Sequence, residues 1–188
     1  MVRWEPGARE RLQAAALTLF AEHGFDGATV AGIAAAAGVT ERTFFRYFAD
    51  KREVLFSGQN EFERLFLEGV RDAGNGPPMA VVAAALDRAC AFFPDERRGW
   101  SRARQAVIDA EPSLQERELL KLSALAAAMT RALQQRGVDA TTAALAAESG
   151  VAVFRVAFAG WIADGEERSL RELQRAALAE LRALVDTV

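Results

Sequence analysis

Leu12, Ala16, Leu19 and Phe20 recur at helical spacing, and Gly24 closes the run. This predicts a first helix from about Pro6 to His23, with Phe25 plugging its end. Pro6 suits the first turn, where a missing N–H costs nothing. Two short apolar-patterned stretches follow, at 29–38 and 40–48. Val54, Leu55, Phe62, Leu65, Phe66 and Val70 then mark one long fourth helix, from Asp50 as N-cap to about Asp72. Glu53, three residues after Asp50, completes an Asp-headed capping pattern. At 1.5 Å per residue that helix would span about 33 Å, enough to join two domains rigidly. The stretch AGNGPP at 73–78 is the clearest break in the chain. Helical patterns resume at about 79–93, 96–109, 112–136 and 140–163, with Pro94, Pro112 and Gly137 at their borders, and a last one fills 168–186. The sum is about nine helices and no strand pattern, so the fold class is all-α.

The stretch 29–51, TVAGIAAAAGVTERTFFRYFADK, carries the most specific pattern. Thr29 caps one short helix, and Ile33 and the small Ala34 give it an inner face. Gly38 falls where the backbone must turn left-handed, which glycine does without penalty. Thr40 caps a second helix whose inward residues are Phe44, Tyr47 and Phe48. Thr40, Glu41, Arg42, Thr43, Phe45 and Arg46 are left on its outer face. A short helix presenting Thr, Arg and Glu fits a DNA major groove.

These residues resemble the DNA-binding domain of the tetracycline-repressor (TetR) family of bacterial regulators. The matching pieces are LFAEHGFDGATV (19–30), IAAAAGVT (33–40), TFFRYFADK (43–51) and EVLF (53–56). The family usually has tyrosine where this chain has Phe45, so the phosphate contact that its hydroxyl commonly makes is missing here. The resemblance implies a DNA-binding domain at 1–50 and a ligand-binding and dimerisation domain at 51–188. Lys51, Thr29 and Thr40 are the expected phosphate contacts, and Arg42 and Thr43 the expected base contacts. Glu41, Phe45 and Arg46 complete the expected DNA face.

From Thr142 to Ala163 the chain is apolar almost all round, and such a helix must be covered on every side. The last helix has an apolar stripe of Leu170, Leu173, Ala177, Leu181, Leu184 and Val188. Packed against symmetry mates, the two helices would make a four-helix homodimer interface, which is where dimers of the resembled family form. Alanine and valine repeat along 80–91, leaving room between helices. Phe93, Trp100, Phe154, Phe158 and Trp161 are expected to line an apolar effector cavity. The stretch 100–138 is similar to a subgroup with acyl-CoA-like ligands, in which Arg102 and Arg104 would meet an anionic head group.

Composition changes this picture in three ways. The net charge is −3, and residues 1–53 hold seven Lys/Arg against seven Asp/Glu, so DNA attraction must rest on placement. Arg42, Arg46, Lys51 and Arg52 cluster at the second short helix and imply a modest salt slope. There is one histidine, His23, at a helix C-terminus, and one cysteine, Cys90, which reads as a small buried side chain. No metal-ligand spacing or nucleotide-binding glycine loop is present, so neither enzyme activity, a metal nor a cofactor is expected. No apolar run is taken to reach transmembrane length and the N-terminus lacks a signal pattern, which points to the cytoplasm. The combined expectation is a cytoplasmic homodimer that binds palindromic double-stranded DNA as a repressor, released by a small amphipathic or apolar effector. An activator of the same fold, or a helical adaptor that binds protein, are the alternatives.

Overall fold

A computed structural model describes residues 7–186. The expectations that fall on Pro6 and Val188 lie outside the described residues. Among those described, the chain forms ten α-helices and two short 3-10 segments and no strand. They divide into two compact units. One runs up to Ser57 and takes in Ala103–Glu118; the other holds Gly58–Arg102 and the chain from Leu119 onward. The division therefore differs from the single boundary after residue 50.

The first unit contains α1 (Ala8–Gly27), α2 (Val30–Ala36), α3 (Glu41–Tyr47) and the single turn α4 (Glu53–Phe56). Gly24, at φ 72°, interrupts α1 and ends its continuous part at His23. Leu12, Ala16, Phe20, Ile33, Phe44 and Phe48 form the centre of the core. Val107, Ile108 and Leu114 belong to that same core. They come from the end of α7 (Arg98–Asp109) and the start of α8 (Pro112–Gln135), far along the chain.

The second unit is built from α5 (Gln59–Asp72), α6 (Pro78–Ala89), the first part of α7, most of α8, α9 (Ala140–Trp161) and α10 (Leu170–Val185). The long helix expected over 50–72 is broken at Ser57 and Gly58. The ring of Phe92 stands where a side chain at 58 would go, 2.4 Å from an ideal Cβ. Glycine leaves the ring its place, and the helix restarts at Gln59.

The Ala/Val run of α6 does not leave room. Val81, Val82, Ala85, Leu86 and Ala89 are buried. A Cβ on Gly69 would stand 2.5 Å from the Ala85 Cα, and one on Gly150 would stand 2.6 Å from Val82 Cγ1. The small residues are spent on close helix crossings of α5 and α9 with α6. Arg136 closes the α5–α6 connection by donating to the carbonyls of Arg71, Ala73 and Gly74 at 2.9–3.2 Å.

By length and composition α9 can cross a membrane, with a mean hydropathy of 1.4. That corrects the reading that no apolar run is long enough. Its inner face is buried in the unit's core through Ala143, Ala147, Val151, Phe154 and Trp161. Leu145 and Val156 on the opposite face are 66% and 67% exposed.

Candidate functional site

The two short helices are fixed by their caps. Thr29 Oγ1 accepts the Gly32 N–H at 3.0 Å, and Thr40 Oγ1 accepts the Thr43 N–H at 3.2 Å. Thr40 and Thr43 also share a hydroxyl contact at 3.1 Å. Between the helices Gly38 takes φ 67°, and the Val39 N–H reaches back to the Ala34 carbonyl at 2.9 Å. Phe44 and Phe48 are buried with their rings 5.3 Å apart.

Tyr47 is a correction: it is 39% exposed and not part of the small core. Its hydroxyl accepts from Arg46 at 3.2 Å, and that guanidinium lies 4.9 Å from its ring centroid. Phe45 is 55% exposed, its ring held edge-on to Phe44. The outer face of α3 thus shows Glu41, Arg42, Phe45, Arg46 and Tyr47, with Thr43 half-buried. Arg42 has no ion-pair or hydrogen-bond partner among the described residues.

Lys51 is half-buried and engaged within the unit. Its ammonium donates to the carbonyls of Phe25 and Ala28 and lies 4.1 Å from the Phe25 ring centroid. It closes the end of α1 beside the start of α2. Asp50 accepts the Glu53 N–H at 3.0 Å, which caps α4 as its position predicts, and pairs with Arg52 at 3.1 Å. Partial burial pushes its carboxyl up, but the Glu53 N–H and Arg52 outweigh that and hold it below its ordinary value.

The segment Ala103–Glu118 braces the same unit. Arg104, its side chain 14% exposed, donates to the Leu55 carbonyl at 2.7 Å and pairs with Glu118 at 3.1 Å. Gln105 donates to the same carboxylate at 3.0 Å, and Arg117 pairs with Glu53 at 2.5 Å. Burial pushes the Arg104 guanidinium down against the pull of Glu118.

The structure brings four of the expected effector residues together. Phe93 lies 5.8 Å from Phe154, 5.2 Å from Phe158 and 5.8 Å from Trp161 by ring centroids. Phe62 joins them 5.4 Å from Phe93. Trp100 instead lies under the Arg97 guanidinium, 5.0 Å from its ring centroid. The two arginines expected there are corrected. Arg102 donates to the Ile162 and Ala163 carbonyls at 2.6 and 2.8 Å and pairs with Asp164, so it caps α9. Arg104 belongs to the other unit, where Leu55 and Glu118 hold it. An open groove of about 500 Å³ runs between α5 and α8, lined by Asn60, Glu63, Arg64, Leu67, Arg71, Arg131 and Gln135. It lies on the face of α5 opposite Phe62 and Phe66.

The family profile of "Bacterial regulatory proteins, tetR family" matches residues 12–57. The profile "MftR C-terminal domain" matches residues 76–186, more than half of the chain. The chain belongs to the TetR family. Over 78 residues it is 41% identical to the HTH-type transcriptional regulator TcmR of Streptomyces glaucescens, which is 40% of this chain and 34% of that protein. The match therefore spans about a third of the relative's length.

Three solved structures, of two proteins, share the fold of this TetR-family chain. FadR of Bacillus subtilis, in complex with stearoyl-CoA, superposes with a TM-score of 0.59 at 20% identity, over 92% of this chain and 96% of that one. SmeT, the repressor of the Stenotrophomonas maltophilia multidrug efflux pump SmeDEF, gives 0.61 at 22% identity, over 94% and 89%. A SmeT–triclosan complex gives 0.65 at 21% identity, over 94% and 90%. The chain carries the helix-turn-helix and the helical C-terminal domain of the TetR family.

Sequence reasoning about this TetR-family chain missed three polar residues. Tyr47 reads as inward with Phe44 and Phe48, yet it is on the outer face. Ser101 and Gln174 are 1% and 2% exposed, although residues of their type are mostly found outside. For Gln174 a signal was present: it lies on the α10 stripe, four residues after Leu170 and four before Leu178.

Proposed function

We propose that this regulator is a homodimeric repressor. Each subunit lays α3 in a major groove of a palindromic operator, and a small effector in the second unit weakens that hold. The observation that carries the reading is the outer face of α3. Two capped helices are locked by a left-handed glycine, and they present an unpartnered Arg42 beside Arg46, Tyr47 and Phe45.

Arg42 and Thr43 take the base edges, and Thr29, Thr40 and the Tyr47 hydroxyl take phosphates. Glu41 sets which bases are refused. Lys51 contributes chiefly by holding the end of α1. The regulator works in the cytoplasm, where its DNA is. Leu145, Ala152, Val156 and Ala159 share one exposed face of α9, and Ala176, Ala179 and Ala183 are exposed on α10. These small and apolar faces suit packing against a second copy in a four-helix interface.

The aromatic cluster around Phe93, Phe154, Phe158 and Trp161 is the proposed place for the apolar body of the effector. The folds of FadR and SmeT, seen with stearoyl-CoA and triclosan, support an apolar or amphipathic molecule, an acyl-CoA-like one included. Its effect on DNA equals its preference for the released state and no more. The path is covalent: the first turn of α7 belongs to the second unit and its remainder to the first. Selecting operators from a random DNA pool, then titrating the winner with and without effector, tests the reading. Enrichment of an inverted repeat supports it, and a pool that stays random refutes it.

A further inference from the structure

Most arginines of the second unit are engaged. Arg64 meets Glu61 and Glu68, Arg88 shares Glu68, and Arg171 and Arg175 share Asp87. Among the described residues, Arg71, Arg131, Arg155 and Arg182 are the arginines of this unit whose side chains have no partner. Arg155 and Arg182 lie on α9 and α10, the helices proposed to meet a second copy. Arg71 and Arg131 instead line one cavity, the open groove of about 500 Å³ between α5 and α8. The same groove holds Glu63, which also has no partner among the described residues.

The groove has two unlike ends. Arg136, just after α8, donates to the Arg71 carbonyl at 3.2 Å, so α5 and α8 finish side by side and lead back from there together. Arg71 and Arg131 stand toward this shared end. Glu63, eight residues before Arg71, lies about 12 Å away along the axis of α5. Leu67, Ala128 and Ala132 supply an apolar wall. Arg64 lines the groove too, but Glu61 and Glu68 neutralise it. Asp72, next to Arg71 in the chain, is exposed and does not line the groove. The uncommitted charge is therefore positive at one end and negative at the other.

These charges have no task within their own helices. The carbonyls at the end of α5 are taken by Arg136, so Arg71 is not needed to close it. The one carboxylate a turn before Arg71 is Glu68, which Arg64 and Arg88 hold. Arg131 has only Ala127, Ala128, Gln134 and Gln135 at helical-neighbour positions, and Glu63 has only Gln59, Asn60, Phe66 and Leu67. The groove's volume falls within the range of small-molecule sites. Guanidinium groups are the side chains best suited to grip a carboxylate.

We propose that this groove is a ligand site separate from the aromatic cluster, and that it takes an extended small molecule with a carboxylate at one end, an apolar chain in the middle and an amine at the other end. The carboxylate meets Arg71 and Arg131, the chain lies along Leu67 and Ala132, and the amine meets Glu63. The site goes beyond the effector reading above and does not depend on it.

Isothermal titration calorimetry of the full chain with 8-aminooctanoate, octanoate, octylamine and 4-aminobutanoate tests this. Octanoate lacks the amine, octylamine lacks the carboxylate, and 4-aminobutanoate has both but is too short to reach both ends. The wild type should bind 8-aminooctanoate about tenfold tighter than each of the others, one charged hydrogen-bonded contact's worth. Arg131→Ala, at an exposed position, should weaken both eight-carbon carboxylates and leave octylamine unchanged. Glu63→Gln should cancel the advantage of the amine and strengthen octanoate, because a like charge has been removed. No binding of 8-aminooctanoate at millimolar concentration overturns the proposal. So does equal binding of all four compounds, or binding that neither substitution changes. A chain that selects no operator defeats the regulator reading instead, and leaves this comparison standing.

Discussion

In the proposed reading base recognition turns on Arg42, which is exposed and has no partner among the described residues, whereas Arg46 is held by Tyr47. Arg42→Ala should relax operator preference and cost about 1–3 kcal/mol per subunit if the guanidinium reads a base edge. Competition between the selected operator and single-base variants measures this. Lys51→Ala should behave differently. It strands the carbonyls of Phe25 and Ala28, so it should lower thermal stability, by about 1–3 kcal/mol, whether DNA is present or not. Cys90 is the other residue with a defined chemistry. Burial pushes its thiol above its ordinary value, with Arg171 pulling the other way. The raised value belongs to the folded state, so the neutral thiol's contribution is present below the unfolded value near 9.0 and is lost as pH rises through the folded one. Iodoacetamide should accordingly alkylate native Cys90 much more slowly at pH 8 than the unfolded chain. Residue types revealed the caps at Thr29 and Thr40, because a hydroxyl before a helical run has one local use. They did not reveal that Lys51, Arg102 and Arg104 bond to backbone carbonyls. A long cation reads the same in sequence whether it faces solvent, DNA or a helix end.

Helix order was legible from periodicity, except for the division of the expected fourth helix, and the borders at Gly24, Gly38, Pro112 and Gly137 followed from backbone chemistry. The break between α4 and α5 at Ser57 and Gly58 was not legible, because a lone glycine inside a helical pattern is often tolerated. Gly58→Ala puts a Cβ 2.4 Å from the Phe92 ring, yet the ring is half-buried and can swing aside. Gly69→Ala meets the Ala85 backbone at 2.5 Å and has no such escape. Urea denaturation should therefore rank Gly69→Ala as the more damaging, by more than about 2 kcal/mol, with Gly58→Ala costing about 1–2 kcal/mol. Equal losses would mean that Phe92 is as fixed as the α6 backbone. The Ala/Val pattern of α6 shows the same limit. Small side chains mark either space or close approach, and only the facing Gly69 and Gly150 decide for close approach.

At the scale of the whole molecule, a net charge of −3 makes local placement and pairing of subunits the conditions for binding DNA. Val156→Glu places like charges across the proposed two-fold without disturbing the monomer's core, since Val156 is 67% exposed. Sedimentation should show the wild type dimeric at micromolar concentration and this variant's dissociation constant raised about a hundredfold or more. The measurement that bears most directly on the account is fluorescence anisotropy of the selected operator with full-length protein across a salt series. The account predicts two subunits on an inverted repeat, affinity falling with salt at a modest slope, and loss of preference in Arg42→Ala. Salt-independent binding, or tight binding that treats scrambled DNA like the operator, would contradict it.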